Sequence, residues 1–201
     1  HQSRLIFALD ATASRSPTWD KARELHAEIF SAAVDTESLA VQLCHYRGLF
    51  DFQVSPWITQ AGALLDHMTA VQCEAGGTQI LRVLDHAISA GTTTNPIRAL
   101  VFIGDACEES TESLLQLAGQ CAILKLPVFI FHEGQDHRAG TIFRQIADLS
   151  RGAYAPFDAS SADQLRLLLG AVSRYARGGI KALIESNGDG DRVLIEQLRR
   201  F

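Results

Sequence analysis

Short, mostly apolar runs spaced along the chain limit its fold more than any other feature. Residues 4–9 read RLIFAL and residues 97–103 read IRALVFI. Neither alternates apolar with polar positions, so both read as strands buried on two faces. Residues 39–45 (LAVQLCH), 49–54, 126–131 (LPVFIF) and 152–157 supply four more strand candidates. Longer stretches of helical period lie between them. In residues 78–90, Ile80, Leu81, Leu84 and Ile88 share one stripe, and Leu114, Leu115, Leu117 and Ala118 do so in residues 110–122. Further helices are expected over 17–33, 57–69 (with Pro56 at the first turn), 139–149 and 163–175.

That order is β-α-β-β-α-α-β-α-β-α-β-α. It predicts an α/β fold, a three-layer open Rossmann-like sheet with helices on both faces. The sheet is mostly parallel, and a hairpin from the second strand to the third adds one antiparallel edge strand. Residues 4–177 are assigned to this domain. Gly178-Gly179 sets off residues 178–201, expected to be a short helical appendage or the start of a region that continues. The chain opens on His-Gln-Ser without an initiating Met, so it is expected to be a piece of a longer protein.

The 201 residues are 47% hydrophobic and 20% charged, which fits one globular domain with a sizeable aliphatic core. Net charge is -5 and no long Lys/Arg cluster occurs, which argues against nucleic acid as a partner. No apolar run reaches membrane-spanning length. Cys44, Cys73, Cys107 and Cys121 form no CxxC pair, which disfavours structural zinc and a thioredoxin-like site. Free thiols and a cytoplasmic location are expected.

Open sheets of this kind place their functional groups just beyond the carboxyl ends of the strands. After the first strand comes Asp10-Ala11-Thr12-Ala13-Ser14, a carboxylate and two hydroxyls at two-residue spacing. Taken alone, this is also ordinary turn and cap chemistry. Two further elements add to it. Thr78 follows Gly76-Gly77 at a loop-to-helix junction, and Asp105 follows the fourth strand and Gly104. The first and fourth strands are expected to be central, which brings Asp10 and Asp105 to one edge, within reach of Thr78. The resulting all-oxygen shell suits a hard cation such as Mg²⁺ and not Zn²⁺.

These residues resemble a von Willebrand factor type A (integrin I-like) domain with its metal-ion-dependent adhesion site. The family pattern is Asp-x-Ser-x-Ser after the first strand, a Thr in a Gly-rich loop, and an Asp after the fourth strand. Here Asp10, Thr12 and Ser14 form the first element, with Thr in place of the middle Ser. Thr78, preceded by Gly-Gly as in bacterial members, is the second. Asp105 is the third, in Gly104-Asp105-Ala106 where the family often has Thr-Asp-Gly. The resemblance covers about residues 4–175.

The resemblance implies a role for each residue. Ser14 would bind the metal through its hydroxyl, and Thr12 would ligate or hold the shell. Asp10 would supply the main negative charge, Thr78 would coordinate in the high-affinity state, and Asp105 would act through water. The implied cofactor is Mg²⁺, with Mn²⁺ or Ca²⁺ as alternatives. The implied partner is a protein offering a carboxylate, with an ATPase or assembly-factor complex as one setting. The expected function is therefore metal-dependent protein interaction, not catalysis.

Two other readings stand beside it. One is a metal-free structural scaffold. The other is a Mg²⁺-dependent phosphoryl-transfer enzyme, disfavoured because Thr12 replaces the second Asp of an Asp-x-Asp nucleophile pattern. Phosphate-binding signatures GxGxxG and GxxxxGK[ST] and the GxSxG elbow are missing. His132, Glu133, Asp136 and His137 read as a polar loop after the fifth strand. Cys107, Trp19 and Trp57 read as packing residues. His26, His45, His67 and His86 follow no zinc spacing. Residues 185–196 imitate an EF-hand but read better as a helix-helix turn with acidic caps.

Overall fold

Every apolar run becomes a strand in the computed structural model, which describes residues 2–15, 39–158 and 160–199. The strands are β1 (Ser3–Asp10), β2 (Leu39–Arg47), β3 (Asp51–Val54), β4 (Ile97–Gly104), β5 (Val128–Glu133) and β6 (Ala153–Phe157). They form one sheet in the order β3-β2-β1-β4-β5-β6. All neighbours pair in parallel except β2 with β3. This is the predicted open sheet with one antiparallel edge strand, and β1 and β4 are its two central strands.

Described helices are α1 (Ala61–Ala70), α2 (Ile80–Ala90), α3 (Thr111–Ile123), α4 (His137–Leu149), α5 (Ala162–Ser186) and α6 (Asp189–Leu198). They sort onto two faces because strand side chains alternate. Leu5, Phe7 and Leu9 of β1 point into one core with Leu64 and Met68 of α1, and Leu168 and Val172 of α5. Ile6 and Ala8 point into the other core with Val83 of α2, Leu114 of α3 and Phe143 of α4. A strand covered on both sides must be apolar at every position, which is why the central strands carry no alternation.

Several boundaries differ from the sequence expectation. α1 begins at Ala61, not at 57, because Ile58 is held extended by two 2.8 Å backbone hydrogen bonds with Val41 of β2. Pro56 therefore precedes this pairing and opens no helix. β3 starts only at Asp51, since Gly48, Leu49 and Phe50 make the turn. α4 starts two residues early, at His137, where the Asp136 carboxylate caps the Ala139 N–H at 2.9 Å. His132 and Glu133 belong to β5, so they are not the polar loop expected after it. The helix expected over 17–33 lies outside the described residues, as do Trp19 and His26.

α5 continues past Gly178 to Ser186, with one non-helical residue, Gly179, at φ 64°. Asn187 in the left-handed region ends it and α6 follows at once. Leu183 and Leu194 join the same core as β1. Buried Asp191 accepts from Arg174 Nε and the Gly188 N–H at 2.8 and 2.9 Å. Gln197 Oε1 accepts the N–H of Tyr154 at 3.0 Å, on the edge strand β6. Residues 185–196 are thus two helix ends and a tight turn, and no calcium-type loop forms.

Candidate metal centre

Asp10 closes β1 and lies opposite Tyr46 of β2. Its side chain is fully buried. Oδ1 accepts the Thr12 N–H at 2.8 Å, which folds the chain back over the strand end. A short 3-10 turn, Ala13–Arg15, then brings the Ser14 hydroxyl within 3.1 Å of that of Thr12. Thr12 is buried and Ser14 exposed, so this loop runs from the core to the surface.

Gly104 lets the end of β4 close on this loop. A Cβ there would lie 3.3 Å from the Asp10 Cβ and 2.6 Å from the Phe102 ring. The next residue is Asp105, whose charge acts on Asp10. Asp10 Oδ2 and Asp105 Oδ1 are both buried and make no hydrogen bond among the described residues, although the Tyr46 hydroxyl adjoins the Asp10 carboxylate. Burial pushes the Asp10 carboxyl up to about 6, Thr12 and Arg15 pull it back, and Asp105 pushes it further. Two neighbouring carboxylates with orphaned oxygens are costly unless something cationic meets them.

Thr78 lies in the loop before α2, not on the helix itself. Its N–H donates to Glu108 Oε2 at 3.2 Å, and its hydroxyl accepts the Glu108 N–H at 3.1 Å. Glu109 caps α2 from the same neighbouring loop, accepting the N–H groups of Ile80 and Leu81 at 2.6 and 2.9 Å. The second and third motif loops are therefore latched together. The first and second are joined through Glu74, whose N–H donates to Ala11 O at 3.0 Å. Asp10, Thr12 and Ser14 thus form one hydrogen-bonded loop, Asp105 lies beside Asp10, and the hydrogen bonds of Thr78 run to Glu108.

Several residues at this edge were not anticipated. Arg15 is buried, donating from Nη1 to Asp10 O at 2.6 Å and from Nε to Glu133 Oε2 at 2.7 Å. The buried Tyr46 hydroxyl lies close enough to Asp10 that burial and the carboxylate together hold its proton far above the usual phenol range. Glu108 and Glu109 tie the loops as described. The β1–β2 register points to Tyr46, since a residue opposite Asp10 must share its surroundings.

Other side chains settle into packing. His132 is buried, its Nδ1 2.8 Å from the Tyr154 hydroxyl and its ring edge-on to Phe143. Burial lowers its pKa. His137 is exposed on α4. Burial pushes the Cys107 thiol up to about 11, so it is no thiolate ligand at neutral pH. Trp57 stacks under Arg4. Among the described residues no three His, Cys, Asp or Glu side chains gather as a ready metal cluster. A cation here would rest on two carboxylates and the hydroxyls, a donor set that fits a hard divalent ion.

The fold and this edge define an open α/β domain with oxygen donors beyond the carboxyl ends of its central strands. The chain belongs to the von Willebrand factor type A domain family, which matches residues 55–155. That stretch holds Thr78 and Asp105, while Asp10, Thr12 and Ser14 precede it. No curated protein sequence is similar enough to match.

Solved structures share the fold at low identity. BatB from Bacteroides thetaiotaomicron has a TM-score of 0.66 at 17% identity, over 86% of this chain and 96% of that one. An aerotolerance-related membrane protein from Bacteroides fragilis has 0.63 at 14%, over 99% and 100%. Proximal thread matrix protein 1 from the mussel byssus, with a zinc-occupied MIDAS motif, has 0.66 at 14%, over 86% and 48%. No described helix here is long and apolar enough to cross a membrane.

Proposed function

We propose that this chain is a metal-dependent protein-interaction module. Domains of its family typically serve protein–protein interaction. Asp10, Thr12, Ser14, Thr78 and Asp105 would hold one divalent cation, with Mg²⁺ the best fit to oxygen donors. Bound there, the cation would supply a Lewis-acid position open to a partner carboxylate. Asp10 supplies charge from the core side, and Ser14 presents its hydroxyl from the surface. The observation that carries this reading is the pair of buried, unpartnered oxygens, Asp10 Oδ2 and Asp105 Oδ1. The free thiols Cys44, Cys73, Cys107 and Cys121 support a reducing, cytoplasmic setting.

Calorimetric titration of metal-stripped protein with Mg²⁺ and Mn²⁺ tests it, beside Ser14→Ala and Asp105→Asn. The expected result is one ion per chain, with binding lost or weakened in both variants and thermal stability raised by saturating metal. Absence of binding in the unaltered chain would leave a metal-free scaffold.

A further inference from the structure

The geometry points to Arg15 and Glu133 as the pair that makes this site select Mg²⁺ over a larger divalent ion. Neither would touch the cation. Arg15 would act through the loop that carries Thr12 and Ser14, and Glu133 through Arg15. This rests on the metal-dependent reading above.

Selection by size needs ligands that stay in place. Mg²⁺ demands near-ideal octahedral geometry at about 2.1 Å, whereas Ca²⁺ accepts a looser shell at about 2.3–2.6 Å. Hydroxyls on a loop meet the first demand only if the loop is fixed. Ala13 and Ser14 are exposed, so core packing does not hold them. The first half of the loop is tied to its neighbours. The Ala11 N–H donates to Tyr46 O at 2.9 Å, and Ala11 O accepts the Glu74 N–H at 3.0 Å. The second half is tied by Arg15. Its N–H donates to Thr12 O at 3.1 Å, and its Nη1 reaches back to Asp10 O at 2.6 Å. The segment from Asp10 to Arg15 is thereby closed on itself, with the Thr12 and Ser14 hydroxyls 3.1 Å apart.

Glu133 anchors that closure to the sheet. It ends β5, which pairs with β4 on one side and β6 on the other. Glu133 Oε2 accepts Arg15 Nε at 2.7 Å. A guanidinium is planar and its donors point in fixed directions. One such group bound to both Asp10 O and Glu133 therefore sets the separation of the two. A lysine offers a single ammonium and cannot reproduce the fork. Charge alone cannot give the selectivity, because Mg²⁺ and Ca²⁺ carry the same charge and a nearby ion pair shifts both alike. The position of the hydroxyls is what separates them.

Calorimetric titration with Mg²⁺ and with Ca²⁺ tests this. It compares the metal-stripped unaltered chain with Arg15→Lys, Glu133→Ala and Glu133→Gln, each checked for folding by far-UV circular dichroism. Arg15→Lys keeps the charge and loses the fork. Glu133→Ala and Glu133→Gln lose the same charge, but only Gln keeps an acceptor oxygen for Arg15. The unaltered chain should prefer Mg²⁺. Arg15→Lys and Glu133→Ala should each lower the ratio of Mg²⁺ to Ca²⁺ affinity about tenfold or more, and Glu133→Gln should recover most of it. Where one of the two damaging variants does not fold, the other decides. If neither folds, the pair serves the fold and the proposal falls. An unchanged ratio in Arg15→Lys, or equal ratios in Glu133→Ala and Glu133→Gln, would overturn the role of the pair and leave the metal reading intact. So would an unaltered chain that binds both ions alike. Binding of neither ion would overturn both.

Discussion

Arg15 Nε donates to Glu133 Oε2 at 2.7 Å, joining the loop after β1 to the end of β5 across the end of β4. The Arg15 side chain is fully buried, while Glu133 keeps a 12% exposed edge. Removing one partner of a buried pair leaves the other uncompensated. The two removals should therefore differ. Glu133→Ala takes the carboxylate from a buried guanidinium that keeps its bond to Asp10 O, and should cost about 3 kcal/mol at most. Arg15→Met leaves a carboxylate that water can reach, but it also strips the donor from the buried Asp10 O and the positive charge that acts on the Asp10 carboxyl, so it should cost more. Urea unfolding of both variants checks the order. Equal costs would mean the pair is better solvated than its burial indicates.

Asp10 makes the metal-free protein sensitive to pH. Its carboxyl moves from an ordinary 3.8 to about 6 on folding, chiefly through burial. Well below pH 3.8 both states hold the proton and the group has no effect. From there to about 6 only the folded state holds it, so stability falls as pH rises. Above about 6 the full cost is present, about 3 kcal/mol at most. Asp10→Asn retains an oxygen for the Thr12 N–H and removes that cost. In chelator, it should be more stable than the unaltered chain at about pH 7.5, and about equal to it near pH 3.5. Urea unfolding at both pH values decides, and a less stable variant at the higher pH would refute the argument. The same variant should lose metal binding, so a site suited to a cation is a liability without one.

Gly76 fixes how the Thr78 loop lies on the hairpin. A Cβ there would sit 1.7 Å from the backbone oxygen of Gly48, which neither chain segment can accommodate in place. Gly76→Ala should cost about 1–3 kcal/mol or more. It should also loosen the Glu74 bridge and so weaken metal affinity. The matched control is Ala75→Ser, at the exposed position next to it, which should change neither property. Urea unfolding and Mg²⁺ titration of both variants make the comparison. Equal behaviour of the two would show that the close approach relaxes freely.

The sheet was legible because burial on two faces leaves β1 and β4 apolar throughout, a signal that needs no knowledge of the partner strand. Asp10 and Asp105 followed from it, since strand order places both at one edge. Arg15 was not legible. A guanidinium is ordinarily solvated, and its partner Glu133 lies 118 residues away. The Thr78–Glu108 latch and the Ile58–Val41 pairing were hidden for the same reason, being set by tertiary contact and not by local pattern. Residues 178–201 looked separable because Gly178-Gly179 breaks the helical period. Yet Gly179 only kinks α5, and the chain beyond it returns to the core.

That return yields a final prediction. Leu194 of α6 is 2% exposed in the core that contains β1, and Gln197 covers an N–H of edge strand β6. If α6 belongs to the cooperative unit, Leu194→Ala lowers the stability of the whole domain by about 2–5 kcal/mol. Urea unfolding should then show a single transition, followed equally by far-UV circular dichroism and by fluorescence of the two tryptophans, Trp19 and Trp57. A loose appendage would instead melt first, with an early dichroism loss that leaves the fluorescence transition of the variant unmoved. The bond from partly exposed Arg174 to buried Asp191 and the tight turn that joins α5 directly to α6 favour the single transition, because α6 cannot detach without exposing Asp191 and the side of β6 together.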